Sequence, residues 1–412
     1  MEVVVERCAG LDVSKDEVVA CIRRPDDQGG RSKQVRSFAT FTDDLEQMAA
    51  WLESEQVTKV VMEATGQYWK PVWYVLEERS FELILVNARH VKIVPGRETD
   101  VMDAEWLAEL LEHGLLRGSF VPPPAIRELR DLIRYRKRLI QAHTSECQRV
   151  QKVLEDAGIK LDSVASDVLG VSGRAMLKAL VEGERNPKVL AELAKGRLRA
   201  KIPQLHKALK GRFRQHHALM IRVALDHIEH LESSITTLDT SVDEVMSPFT
   251  IARDHLDTIT GVGKRAAECI IAAIGTDMGV FPTAAHLASW AGLCPGNNVT
   301  GGKRKSGRTN KGDRWLREIL VECAWAAARS RDTYLSAQFW HLARRIGKKR
   351  AAVAVAHSIL VIAWHLLKDD CNYEDLGGDY FVRRDQSRHK ARLVRELQEL
   401  GFYVTLEEVP AA

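Results

Sequence analysis

Apolar positions from Ala9 to Val13 and again from Val18 to Ile22 are separated by the polar turn Ser14-Lys15-Asp16-Glu17, a pattern that predicts two strands joined as a hairpin. Gln34 to Phe41 predicts a third strand. Thr42 then stands where it would cap a helix whose Leu45, Met48, Ala49 and Leu52 recur at helical spacing. Lys59 to Met62 reads as a short buried strand ending at Glu63, Tyr68 to Arg79 as a helix, Glu82 to Val86 as a strand, and Asp100 to His113 as a closing helix. Three antiparallel-type strands followed by strand and helix in alternation predict one mixed sheet with helices packed on its faces.

Pro122-Pro123-Pro124 breaks the pattern, because proline cannot continue a helix, and marks a boundary after a first domain of residues 1–122. Beyond it Leu129, Ile133, Arg136, Ile140, His143, Cys147, Val150 and Leu154 recur at alternating spacings of four and three, a heptad seam with one charged interruption. A second long helix is expected through Leu205, Leu209, Phe213, Met220, Val223, Leu231, Leu238 and Val245, so residues 123–247 read as a helical coiled-coil region. Two such helices pack as an antiparallel pair or against another subunit. The stretch between them, from Gly170 to Ile202, is helical in shorter pieces and carries Lys195, Arg197, Arg199 and Lys201. A third domain, mostly α, spans 248–370, and 371–412 is a charged tail.

Composition changes this picture little. Sixty Lys and Arg against 56 Asp and Glu leave a net charge of +4, so the distribution of charge matters more than its sum. Seven cysteines stand singly, without CxxC pairs or histidines at zinc spacing, which reads as reduced thiols in a cytoplasm. The N-terminus lacks the basic start and the apolar length of a signal peptide. The longest apolar stretch, Ala351 to Leu367, falls short of the roughly 20 residues of a membrane span and reads as a buried helix.

Candidate chemistry changes it more. Asp12 on the first strand, Glu63 after the fourth, and Asp100 and Asp103 on the closing helix occupy places that the expected fold brings together, and residues three apart on a helix share a face. Carboxylates gathered in this way repel one another unless they share a cation. Magnesium prefers such oxygen ligands, and a pair of ions about 4 Å apart stabilises both attacking and leaving oxygens in phosphodiester chemistry.

Further on, Leu256 to Gly275 contains a Gly-Val-Gly turn (Gly261, Gly263) between two apolar helical stretches and looks like a helix-hairpin-helix, with Lys264 and Arg265 beside the phosphate-facing backbone. The alternative is an ordinary glycine-rich connection. Lys303, Arg304, Lys305, Arg308, Lys311, Arg314 and Arg317 then crowd into a glycine-rich segment, where close backbone approach and charge together suit a polyanion. Arg344, Arg345, Lys348, Lys349 and Arg350 form a second basic cluster, and Arg134, Arg136, Lys137, Arg138, Arg149 and Lys152 a basic helical surface.

GLDVSK around Asp12, VMEATG around Glu63 and TDVMDAEWLAEL around Asp100 and Asp103 resemble the signature of the insertion-sequence family 110 transposases, which include Piv-type DNA invertases; the C-terminal region is similar to that family's second domain. The resemblance implies an RNase H-like (RuvC-like) α/β N-terminal domain that binds Mg2+ through Asp12, Glu63, Asp100 and Asp103. It also implies DNA as donor and target, a structured bridge RNA, and a homo-oligomer, dimer or tetramer, with composite active sites. The family's nucleophile is a serine following a proline and preceding a small residue, Gly and Lys. Here the segment from Pro295 to Lys303 reads PGNNVTGGK, which puts Thr300 in that place, with Ser306 as the competing hydroxyl. Two other readings stay open: a RuvC-like nuclease that hydrolyses DNA through metal-bound water, and an inactive nucleic-acid-binding relative.

Overall fold

In the computed structural model, which describes residues 2–26, 28–87, 100–296, 298–306, 308–309, 311–384 and 386–406, the chain separates into two units, residues 1–121 and 122–412. In the first unit β1 (Cys8–Val13), β2 (Glu17–Pro25) and β3 (Arg31–Ala39) are antiparallel neighbours. On its other side β1 pairs in parallel with β4 (Lys59–Glu63), which pairs with β5 (Glu82–Val86), so the sheet order is β3-β2-β1-β4-β5. Helices α1 (Thr42–Ser54) and α2 (Trp69–Glu77) bury Leu45, Met48, Leu52, Val72 and Leu76 against Leu11, Ile22 and Met62 on one face. On the opposite face α3 (Asp100–Glu112) sets Leu107 and Leu111 against Cys8, Val61 and Val86. The mixed sheet with helices on both faces is as the apolar pattern predicted.

Differences concentrate at strand ends. β2 runs on through Arg23 and Arg24, and β3 begins at Arg31, because charged residues there have partners that a hydropathy pattern does not register. Phe41 lies outside the strand expected to include it. It occupies the cap position of α1, which Thr42 instead opens as a helical residue, and no side chain bonds the end of the helix.

In the second unit α4 (Pro124–Asp156) starts on a proline, whose missing N–H costs nothing at the first helical turn. It runs antiparallel to α8 (Gln215–Met246): Arg136 pairs with Asp239, His143 with Glu232, and Asp156 with His217, in opposite order along the two helices. Between them lie α5 (Val171–Glu182), α6 (Pro187–Glu192) and α7 (Ile202–Ala208), which share a core with the ends of the pair through Leu154, Leu177, Leu190, Leu205 and Ile228. The second long helix is therefore shorter than the expected span from Leu205 to Val245. Gly211 interrupts it, where a Cβ would stand 2.5 Å from the Ala157 carbonyl oxygen. Met220, Val223 and Ile140, placed on the expected seams, face solvent.

The rest of this unit comprises α9 (Thr250–Asp257), α10 (Lys264–Ile274), α11 (Ala284–Trp290), a hairpin of β6 (Asn298–Thr300) and β7 (Lys303–Ser306), α12 (Arg314–Ala327), α13 (Tyr334–Ile346), α14 (Lys348–Asp369), α15 (Tyr380–Arg384) and α16 (Gln386–Glu399). The expected division at 247/248 falls inside the unit. Helix α14 extends the apolar run to 22 residues, long and apolar enough by length and composition to cross a membrane. Its Ala351, Val355, Ile359, Leu360 and Ala363 are nevertheless fully buried, as expected for a core-facing helix.

Candidate active site

Asp12 is the penultimate residue of β1, opposite Val19, and Glu63 the last of β4, opposite Val86. The parallel register of β1 and β4 pairs Gly10 with Val61 and Leu11 with Met62, so Asp12 and Glu63 come next along neighbouring strands. Because side chains alternate, both point to the face occupied by α3 rather than the face holding Leu11 and Met62. Helix and strand touch at Gly10: a Cβ there would meet the Ala104 oxygen and the Ala108 nitrogen, each at 2.4 Å. One strand residue pair earlier, the Cys8 thiol donates to the Ala108 carbonyl at 3.5 Å. Moving from Cys8 to Gly10 along β1 thus moves from Ala108 toward Ala104 along α3, and the first turn of α3, with Asp100 and Asp103, lies toward the Asp12 end.

The four carboxylates consequently gather at one edge of the first unit, Asp12, Glu63 and Asp103 half-buried and Asp100 exposed. The amino end of α3 carries the positive end of the helix dipole, which favours the two carboxylates there. No three of the four bring ligand atoms within 4.8 Å of one another; among the described residues that closeness belongs to Asp156, His216 and His217 in the second unit. There the Arg214 backbone N–H donates to His217 Nδ1 at 3.0 Å, leaving Nε2–H to donate to Asp156 at 2.8 Å, which ties the start of α8 to the end of α4.

The opposite end of α3 was invisible to sequence reasoning. The Glu112 side chain is 1 % exposed and is gripped by Arg23 of β2, whose Nε donates at 2.9 Å and Nη2 at 2.8 Å, and by Arg31 of β3. Burial pushes the Glu112 carboxyl up, but the two guanidinium groups outweigh it and hold it below its ordinary value. This clamp fixes the helix that presents Asp100 and Asp103. Burial also raises the thiols on that face, Cys8 to about 12 and Cys21 to about 11, so neither is a thiolate nucleophile at neutral pH.

In the second unit the glycine-rich basic segment is a hairpin. Thr300 pairs with Lys303 across Gly301 and Gly302, whose φ angles of +57° and +74° are those of a two-residue turn that glycine adopts without strain. Ser306 sits at the far end, opposite Asn298. The side chains of Thr300, Arg304, Lys305 and Ser306 lie outside the described structure. Gly296 N–H donates to the Arg308 carbonyl at 2.8 Å, and Gly312 lies so close to Ala291 and Gly292 that any Cβ would overlap them, which anchors the hairpin base. Lys303, Arg308 and Lys311 are exposed, and Arg314 pairs with Glu318 at 3.0 Å.

Gly261, at φ +87°, packs against α12, where a Cβ would meet the Cys323 oxygen at 2.5 Å; Gly263 caps α10. Lys264 pairs with Asp243 at 2.9 Å, and Arg265 with Asp239 at 2.8 Å and Glu268 at 3.1 Å. Part of the basic surface expected on α4 is likewise turned inward: Arg134 meets Asp313, Arg136 meets Asp239 and Glu268, and Lys137 meets Glu318, whereas Arg149 stays exposed beside Glu146 of the same helix. Helical spacing marked these residues as neighbours, but only long-range packing supplies the acidic partners of Arg134, Arg136 and Lys137. Arg138 and Lys152 on α4 are exposed, as are Arg344, Arg345, Lys348, Lys349 and Arg350 where α13 meets α14.

Comparison with known proteins matches residues 9–159 to a family model described as a transposase and residues 253–341 to one described as the IS116/IS110/IS902 transposase family. The first match contains all four carboxylates and the second contains Thr300. A probable family 20 transposase of Pseudomonas aeruginosa is 28% identical over 322 residues, covering 76% of this chain and 85% of that protein. The 43.6 kDa protein of insertion element IS110 from Streptomyces coelicolor is 25% identical over 321 residues, covering 70% and 76%. A pilin gene-inverting protein of Moraxella bovis is 30% identical over 153 residues, covering 35% of this chain and 47% of its own length.

Proposed function

The chain belongs to the IS110 family of transposases and is a DNA transposase or recombinase; from that premise we propose that its first unit is a RuvC-like domain whose Asp12, Glu63, Asp100 and Asp103 hold Mg2+. The observation that carries this reading is the placing of four carboxylates at one end of the sheet's inner strands, two at the neighbouring ends of β1 and β4 and two on the first turn of the helix laid over Gly10. An all-oxygen, all-anionic donor set suits a hard divalent ion. When bound, the ion neutralises charge that develops on the phosphate oxygens. The family match also supports the DEDD assignment, because it covers all four positions.

The Thr300 hydroxyl is the proposed nucleophile. Its Oγ forms a bond to the scissile phosphorus, its proton leaves to solvent or a neighbouring base, and the DNA strand departs as a free hydroxyl. A second strand's hydroxyl then attacks the same phosphorus and releases Thr300, so the number of phosphodiester bonds is conserved. The place of Thr300 beside a glycine turn, in a hairpin with exposed basic residues, supports this role over Ser306 at the hairpin's far end. The proposal extends to a dimer or tetramer that is guided by a bridge RNA and acts in the cytoplasm; its seven unpaired cysteines suit a reducing compartment.

A denaturing gel tests the mechanism. Full-length protein incubated with Mg2+, guide RNA and nicked suicide DNA is expected to yield a covalent adduct that is lost in Thr300→Ala, kept in Ser306→Ala and reduced at least about 100-fold in Asp12→Asn. Cleavage that persists in Thr300→Ala without any adduct would transfer the protein to the water-using nuclease reading.

A further inference from the structure

Between Gly183 and His217 the sequence holds ten Lys and Arg against two Glu, eight net positive charges in a chain whose total is +4. This stretch lies outside both family matches. All ten basic residues are exposed, and among the described residues none pairs with a carboxylate. Elsewhere in the second unit Arg134, Arg136, Lys137, Lys264, Arg265 and Arg314 each have an acidic partner, while Arg138, Lys152 and the cluster from Arg344 to Arg350 are exposed as well. A solvated charged face ordinarily mixes signs. An unneutralised one lowers stability by self-repulsion and has its use in attracting an anion.

Three of the ten converge. Arg185, Arg212 and Arg214 line a cleft of about 550 Å³ together with Phe213. The Arg185 guanidinium lies 4.9 Å above the Phe213 ring and donates to the carbonyls of Leu180 at 2.6 Å and Glu184 at 2.8 Å, so its plane is fixed before any ligand arrives. Arg212 and Arg214 flank the buried Phe213, and their loop is pinned where the Arg212 N–H donates to the Ala157 carbonyl at 2.7 Å. A preorganised guanidinium with two more beside it in one cleft matches phosphate oxygens in geometry as well as charge.

We propose that this cleft and the basic turns around it bind a nucleic-acid phosphodiester backbone, at a site separate from the carboxylate edge and from the Thr300 hairpin. The proposal rests on the reading of the chain as a nucleic-acid enzyme. A backbone grip needs no base readout, so RNA and DNA are both eligible, and the experiment distinguishes them.

Binding of full-length protein to a folded RNA, a single-stranded DNA and a duplex DNA is measured by fluorescence anisotropy across a salt series. The Arg185→Gln, Arg212→Gln, Arg214→Gln triple variant is expected to weaken at least one of the three by about tenfold or more and to flatten its log K against log salt slope by about two to three. The class most affected names the ligand. Arg212→Glu alone, at a position without a side-chain partner among the described residues, is expected to shift the same ligand in the same direction while its melting temperature stays that of the wild type. Unchanged affinity and slope in both variants overturns the proposal and leaves the transposase reading intact. Failure of the wild type to bind any of the three overturns both.

Discussion

Gly10 does most to set the carboxylate edge, because only a residue without a side chain lets α3 lie directly on β1. Gly10→Ala forces a methyl group to within 2.4 Å of two backbone atoms of the helix. It is expected to lower stability in urea melts by about 1–3 kcal/mol, the usual range for overpacking, and to reduce strand transfer by displacing Asp100 and Asp103. Glu112 acts from the other end of the helix. Replacing it with Gln leaves Arg23 and Arg31 without a counter-charge and is expected to cost about 3 kcal/mol at neutral pH. The folded protein holds this carboxyl below its ordinary value of 4.5, so its contribution is present above pH 4.5 and fades as pH falls through the lower folded value. The stability gap between wild type and Glu112→Gln, followed by circular dichroism, should therefore narrow as acid is added below pH 4.5. The motif around Asp12 was legible in the sequence. The clamp at Glu112 was not, because its partners come from strands 81 and 89 residues away.

At the scale of elements, the antiparallel pairing of α4 and α8 was one of two arrangements that the spacing allowed, and much of what joins the pair is polar. Arg136 stands at an expected seam position and is 5 % exposed, bonded to Asp239 on α8 and to the fully buried Glu268 on α10. Arg136→Ala strands that carboxylate beside Arg265 alone and is expected to lower thermal stability by about 3 kcal/mol; pairing Arg136→Met with Glu268→Leu should recover most of the loss. Arg130, nearly two turns earlier on α4, donates to the carbonyls of Ala272 at 2.8 Å and Ala273 at 2.7 Å in the last turn of α10. Burial lowers its pKa to about 10, which leaves it charged at neutral pH and suited to those terminal carbonyls. The charged interruption in the heptad pattern is thus the junction of three helices. Sequence periodicity locates such a residue but cannot say whether its partner is solvent, nucleic acid or a carboxylate on a helix more than 100 residues away.

For the whole molecule, separate hydrophobic cores on either side of the Val121–Pro122 junction predict that unfolding is not two-state. Calorimetry of the full chain should resolve two transitions, and Glu112→Gln should move one of them while Arg136→Ala moves the other. A single transition shifted by both variants would show the units to be energetically coupled. The sequence by itself determined the order of strands and helices in the first unit, the prolines that end it, the three motifs that carry the four carboxylates and the family, because these depend on local periodicity and on short contiguous patterns. Only the tertiary structure decided which charges are available. It folded Arg134, Arg136, Lys137, Lys264 and Arg265 onto carboxylates, left the ten cations between Gly183 and His217 without one among the described residues, and buried the Val355, Ile359 and Ala363 face of a helix long and apolar enough to cross a membrane. Whether a charge is neutralised depends on what long-range packing sets beside it, and hydrophobic spacing carries no record of that.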